Sequence, residues 1–319
     1  MSTSRSIKDV LSRDEIKSLT RASDWAGARA VVFTWGVIIG SLALLARFPH
    51  PVTFVLVVIV LGGRQLALAV MMHEAAHGTL FRKRFLNDVV GDIVCARPVW
   101  SDVRRYRKHH LAHHAHTGTE RDPDLGLAAP FPITRASLVR KLLRDLTGIS
   151  GLKRVLGLLL MDLELITYDV GGGAKRLPWR SLGHHLSVGV RNLAPPIVAN
   201  AALFGVLYAL GHAWLFSAWA VAFLTSYGLF LRVRSIAEHA GLGGGADPFT
   251  NTRTTAANIF ARMTVSPLNV GYHLEHHLLP TVPYHRLPEL HRVLRERDAV
   301  PETSLAPGYF AVLARLTSK

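Results

Sequence analysis

The stretch that decides the fold runs from Pro51 to His77, "PVTFVLVVIVLGGRQLALAVMMHEAAH". It opens with a long apolar run and ends in two histidines spaced four apart. Such a run suits lipid better than the half-buried face of a soluble helix. At 1.5 Å per residue, Val52 to about Met72 covers roughly 30 Å, the depth of a bilayer's hydrocarbon core. Continued past lipid, the same helix carries His73 and His77 on one face, ~40° apart. Arg64 complicates it, because an entry at Val52 puts this charge about 18 Å deep, where it is costly unless it faces protein or water. Either it does so, or lipid ends near Gly63 and the helix continues into the cytosol, which is the reading favoured here.

Working outward, three more runs read as spans: Ala30 to Ala46, Ala194 to Leu210 and Trp214 to Leu231. Residues Arg47 to Pro51 and Gly211 to Ala213 join them in pairs as tight outer loops. The expected fold is all-α: a four-helix transmembrane bundle of two hairpins with a cytosolic helical cap carrying a histidine-rich dimetal site. Residues 1–29 are a cytosolic N-terminal segment, and 30–319 are expected to form a single membrane domain with 78–193 and 232–319 cytosolic. The composition agrees, with 49% hydrophobic residues and a positive mean hydropathy. Met1 to Asp24 are polar and lack the apolar core of a secretory signal, so the first run reads as an anchor.

Charge sets the orientation. Of 37 Lys and Arg, 19 lie between Gly78 and Leu193, six precede Ala30 and ten follow Phe230. By the positive-inside rule, both termini and the middle segment face the cytosol, and a bacterial inner membrane is the expected location. The net charge of +15 belongs to this asymmetry; no basic and aromatic module accompanies it, and no nucleic acid partner is expected. A single cysteine, Cys95, excludes intrachain disulfides and thiolate metal clusters, so any metal is held by nitrogen or oxygen.

Between the hairpins, "FLNDVVGDIVCARPVW" and "ISGLKRVLGLLLMDLELITY" have mixed faces and are too short to span, which predicts helices lying at the interface. Breaks are expected at Pro98, Asp122-Pro123, Pro130, Pro132 and Gly171 to Gly173.

The chain holds 17 histidines. "HLAHH" sets His110, His113 and His114 at i, i+3 and i+4, spacing that predicts convergence of the three on one point, and "HLEHH" repeats it with His273, His276 and His277. "RSIAEH" places His239 eight residues past the fourth span. One such cluster could be a solvated basic loop. Two HxxHH boxes, an HxxxH pair and a single histidine on one predicted membrane face point to a metal centre. Nine ligands are too many for one ion, so they imply two metals with four or five nitrogens each. Imidazole accepts zinc, copper, iron or nickel, and spacing does not choose among them. His109, His113 and His116 share a helical face as an alternative set, but the downstream repeat favours 110/113/114. His50 and His212 fall in the outer loops, and His184, His185, His285 and His291 lack ligand spacing and read as interfacial or structural.

Carboxylates adjoin the boxes at Glu74, Glu238 and Glu275, with Asp122 and Asp124 in "ERDPD". Metal-bound imidazoles commonly donate their second N–H to such groups, so orientation of ligands is their expected role, ahead of direct ligation. Asn269, one predicted turn before His273, either orients a metal-bound water or caps a helix.

"HEAAHG", "HHLAHH" and "NVGYHLEHHLLPTVPYHRLPELH" on a four-span chain resemble the integral-membrane fatty acid desaturases, over about Ala30 to His291. The resemblance implies a di-iron centre capping the bundle, O2 as co-substrate, and oxidation of an unactivated C–H bond in a lipid. It implies that His73, His77, His110, His113, His114, His239, His273, His276 and His277 are the iron ligands. Departures matter: the first box has three intervening residues where the acyl-CoA Δ9 branch has four. There is no fused haem-binding HPGG segment, and His273 stands where front-end desaturases have Gln. Electrons are therefore expected from a separate carrier such as ferredoxin or cytochrome b5, docked on the basic face. The leading expectation is an acyl-lipid desaturase. A hydroxylase or ketolase of the same superfamily, acting on fatty acids, sphingoid bases or carotenoids, is the second. A non-enzymatic membrane metal-binding protein is the third, although transporters gather such ligands near the midplane and not outside one face.

Overall fold

A computed structural model describes residues 6–128, 130–169, 173–243, 245 and 247–318. After a short 3-10 turn at Ile7–Asp9, helix α1 (Arg13–Leu19) begins with a reciprocal cap in which the Ser12 hydroxyl accepts from Glu15 N and Glu15 accepts from Ser12 N. Helix α2 (Asp24–Arg47) starts six residues before the apolar run, where the Ser23 hydroxyl accepts from Ala26 N and Asp24 lies in the first turn. Helix α3 (Pro51–His77) opens with Pro51 in its first turn and is closed by Gly78 at φ 76°, where the left-handed backbone frees the chain to turn directly after the histidine pair.

The first expected interfacial helix is divided. Helix α4 (Arg84–Val89) passes into a π-helical stretch, Val90–Ala96, and a 3-10 turn, Arg97–Val99, which Pro98 and Trp100 at φ 55° terminate. Helix α5 (Val103–His116) follows, capped by Asp102, then α6 (Leu125–Ala128), β1 (Ile133–Thr134), α7 (Arg135–Leu146) and α8 (Ile149–Asp162). The second interfacial helix stops at Asp162, not Tyr168. Glu164 at φ 52° ends it, and Ile166–Asp169 (β2) pairs antiparallel with Gly173–Arg176 (β3), Ile166 opposite Arg176. Of the glycines expected to break the chain here, Gly171 and Gly172 lie outside the described residues.

Helix α9 (Leu182–Ala209) starts at a Ser181 cap twelve residues before the expected span and carries Pro195 and Pro196 inside it. The fourth span is two helices, α10 (Phe216–Leu224) and α11 (Ser226–His239), broken at Thr225 (φ −117°, ψ −88°). The break has a partner: Arg154 of α8 donates to the freed Phe223 carbonyl and lies 4.8 Å from both the Phe223 and Tyr227 rings. The rest comprises β4 (Thr254–Thr255), α12 (Ile259–Met263), α13 (His273–Leu278), α14 (Leu287–Glu296), β5 (Leu305–Ala306), α15 (Tyr309–Arg315) and β6 (Thr317–Ser318). Strand β4 pairs parallel with β5 and β1 parallel with β6. The fold is thus helical as expected, with three two-residue to four-residue ladders among the described residues clipping its loops.

Among the described residues, four helical stretches are long and apolar enough to cross a membrane. Helix α3 is their axis: Leu61, Leu66, Leu68 and Met71 are wholly buried among α2, α10 and α11. Val32, Phe33 and Ile39 of α2 and Val190 and Val198 of α9 face outward, as lipid-facing residues do. Arg64 faces protein, not lipid: its guanidinium donates to the Arg262 and Met263 carbonyls at 3.2 and 2.7 Å and so closes the C-terminal end of α12. A second apolar core joins α1, α13 and α14 through Leu11, Leu19, Leu274, Leu290 and Leu294, and a third joins α7, α11 and α15.

Candidate metal centre

All four elements that carry box histidines end or lie at the same end of the bundle. Helix α3 delivers His73 and His77 in its last turn, α11 ends on His239, and α5 and α13 carry His110, His113, His114 and His273, His276, His277. The nine imidazoles fall into two groups, His73, His77, His110, His114 and His276 in one, and His113, His239, His273 and His277 in the other, with ligand atoms in each group within 4.8 Å of one another. The groups touch, since the His114 and His277 rings stack at 4.2 Å.

This division corrects one expectation. The three histidines of an HxxHH box do not converge on one point. Positions i and i+4 are ~40° apart, whereas i+3 and i+4 are ~100° apart and cannot face the same ion. Each box is therefore split, and in opposite senses. His110 and His114 join the first group and His113 the second; His273 and His277 join the second and His276 the first.

Close nitrogen approaches mark both groups: His110 Nε2 to His114 Nε2 at 2.9 Å, His114 Nε2 to His276 Nε2 at 3.0 Å, and His239 Nε2 to His273 Nε2 at 2.8 Å. Among the described residues, His73 Nδ1 and Nε2, His77 Nε2, His273 Nδ1, His276 Nδ1 and His277 Nε2 are buried without a hydrogen-bond partner. Buried orphan nitrogens on this scale are costly unless something takes their lone pairs. Burial, and then the neighbouring imidazoles, push His110, His273, His276 and His277 well below the usual imidazole range and His114 to about 2. The rings are therefore neutral, the form that ligates. An all-nitrogen set of five and four suits two transition-metal ions and rules out the hard, oxygen-seeking ones.

The carboxylates divide. Asp122 lies 2.7 Å from His113 Nδ1 and is itself fixed by the Gly118 and Asp124 amides. Glu74 is 3.5 Å from His73 Nδ1 and accepts from Thr79 Oγ1 and Tyr284 N. Glu238 is 3.4 Å from His273 Nδ1 and paired with Arg234 at 2.6 Å. Asp124 binds His109 Nε2 at 2.8 Å and approaches His113 only to 3.7 Å. Glu275 is the exception: it points to the other side of α13, bonded to His291 Nδ1 at 2.6 Å and to the Thr254 hydroxyl, and touches no box histidine. Asn269 neither caps α13 nor sits a helical turn before His273. Leu268 and Asn269 have positive φ, the helix begins only at His273, and the Asn269 amide donates to the Tyr284 carbonyl at 3.1 Å.

Sequence reasoning missed several neighbours. Tyr106 stacks on His110 at 5.1 Å, Thr117 Oγ1 lies 3.3 Å from His277 Nδ1, and the Asn251 carbonyl lies 3.4 Å from His239 Nδ1. Tyr106 and Arg234 had a local signal, standing four residues before His110 and Glu238 on one helix face. His184 and His185 bond to Glu164 and the Leu163 carbonyl, away from the site.

Membrane-length helices ending in a buried, nitrogen-only site able to hold two metal ions define an integral membrane protein with a dimetal-type centre. The chain belongs to the fatty acid desaturase family, whose sequence profile matches residues 49–306. Similar proteins include the dihydrorhizobitoxine desaturase of Bradyrhizobium elkanii, 27% identical over 81% of this chain and 70% of its own length. A β-carotene ketolase from a Paracoccus species is 26% identical over 82% of this chain and 91% of its own. The zeaxanthin 4-ketolase of Chlamydomonas reinhardtii is 25% identical over 76% of this chain and 43% of its own. The chain is thus an oxidoreductase of this superfamily.

Proposed function

We propose that the chain is a di-iron, O2-dependent oxidase of C–H bonds in an apolar molecule dissolved in the bilayer, with insertion of a double bond into an acyl chain as the leading reaction. The observation that carries it is the pair of buried histidine groups, five and four nitrogens, at the end of a membrane bundle in a desaturase-family chain. Iron held by these nitrogens supplies redox change and O2 activation. The residues' own tasks follow from geometry. Asp122, hydrogen-bonded to His113 Nδ1, holds the tautomer and direction of that ring, while Glu238 and Glu74 place negative charge 3.4 and 3.5 Å from His273 Nδ1 and His73 Nδ1. Tyr106, stacked on His110, helps keep water from that side of the site.

The chain's alignment with nearly the whole of a β-carotene ketolase favours a second reading, oxidation of a carotenoid ring to the alcohol or ketone. The two reactions share the first hydrogen abstraction and part only at the second step.

Reducing equivalents come from a separate carrier, ferredoxin or cytochrome b5, at the cytosolic face of a bacterial inner membrane. The outer face of α5 suits docking: Arg104, Arg105 and Lys108 are exposed beside Leu111, on the helix whose inner face holds three of the histidines.

The test is mass spectrometry of lipids from expressing cells beside a His114→Ala control, repeated in a carotenoid-making host. A histidine-dependent new double bond supports desaturation, and a histidine-dependent oxygenated carotenoid supports the second reading. Unchanged lipids and pigments with correctly inserted protein would refute both.

A further inference from the structure

The two hairpins do not close against each other along their whole length. Between α2 and α9, in the half of the bundle away from the histidines, lies a groove of about 490 Å3. Its walls are almost wholly aliphatic, with Leu42 and Ala43 on α2 facing Leu203 and Leu207 on α9. This volume is within the range of ligand sites, roughly 300–1,000 Å3. Packing between membrane helices rests on van der Waals contact, so a void of this size left empty forfeits the attraction that would join the hairpins.

The groove's two ends differ. Trp35 lines one end, stacked on Trp219 at 6.3 Å, and the indole N–H groups of the pair donate to the Val94 carbonyl and the Asn200 side chain. None of the nine metal-group histidines lines the groove, so among the described residues its occupant is not in contact with the proposed metal site. At the outer end stand Arg47 and His212, both exposed. Among the described residues, no carboxylate forms an ion pair with Arg47, whose guanidinium lies 5.2 Å from the Phe48 ring. An aliphatic slot with a cation at its mouth, at the level where a bilayer's headgroups begin, complements one chemistry: an acyl chain joined to a phosphate.

We propose that this groove is a binding site for one anionic phospholipid of the leaflet opposite the histidine face, with an acyl chain between α2 and α9 and its phosphate at Arg47 and His212. The lipid completes the joint between hairpins that protein side chains leave open. It takes no part in the reaction, so the site stands or falls independently of the function proposed above.

Native mass spectrometry of the purified full chain, titrated with phosphatidylglycerol and with phosphatidylcholine of identical acyl chains, tests it. One phosphatidylglycerol per chain is expected to persist, and at higher affinity than phosphatidylcholine. Arg47→Glu, at an exposed helix end, is expected to weaken phosphatidylglycerol about tenfold and phosphatidylcholine, whose choline offsets its phosphate, clearly less. Ala43→Trp, which puts an indole into the slot, is expected to lower retention of both, and His114→Ala of neither. Equal affinity for the two lipids, or an Arg47→Glu variant indistinguishable from the parent, would overturn the proposal whatever the fate of Ala43→Trp.

Discussion

At the scale of single residues, the site follows from helical angles. An HxxHH box aims its i and i+4 rings together and its i+3 ring elsewhere, and two such boxes facing each other in opposite senses divide nine imidazoles five and four. Which residues gather was legible in the spacing; which partner each ring faces was not, because that depends on how α5 and α13 meet. The carboxylates show the same limit. Asp122 and Glu275 both sit beside a box in sequence, yet Asp122 meets His113 at 2.7 Å while Glu275 turns to His291 and Thr254. Asp122→Ala is therefore expected to lower metal affinity by about 10- to 100-fold. Glu275→Gln, which removes no ligand's partner, is expected to keep the parent's metal content. Metal per chain by elemental mass spectrometry, with thermal midpoints to control for folding, checks both; equal losses would mean the carboxylates act only through general stability.

At the scale of elements, two arginines do work that no local pattern announces. Arg64 of α3 closes α12, and Arg154 of α8 occupies the break between α10 and α11. Hydropathy found all four spans, since that signal is summed over some twenty residues and needs no partner. It read α10 and α11 as one helix because the break lies in an unbroken apolar run and is stabilised from a helix more than sixty residues away in sequence. It also missed β2 and β3, which a positive-φ residue at Glu164 sets off from α8. Arg64→Leu leaves the two carbonyls at the end of α12 without a donor, so a loss of about 2–3 kcal/mol is expected, with partial recovery in Arg64→Lys. Gly151→Val should be worse than Gly157→Val: a Cβ at Gly151 would lie 2.0 Å from the Leu224 carbonyl oxygen, whereas Gly157 faces open space. Detergent-solubilised thermal unfolding measures all four, and an Arg64→Leu midpoint equal to the parent's would show that water replaces the guanidinium.

At the scale of the whole molecule, both hairpins open toward the histidines, so the metal-binding end and the ends of α3 and α11 share one side. Nearly all Lys and Arg lie on that side as well, and the short loops at Arg47–Pro51 and Gly211–Ala213 hold one of them. Positive charge stays in the cytosol during insertion, so the histidine face should be cytosolic and the groove's mouth at Arg47 external. The sole native thiol does not interfere with a direct test: Cys95 is fully buried, and burial pushes its pKa up to about 12, leaving almost no thiolate to react. A cysteine introduced at exposed Phe48 is expected to take a membrane-impermeant maleimide in spheroplasts. One at exposed Lys108, on the outer face of α5, should do so only after the membrane is opened. The parent should label in neither condition. The reverse pattern would turn the molecule over, placing the histidine centre outside the cell, away from cytosolic electron carriers, and the proposed oxidase would then need a donor on the opposite side.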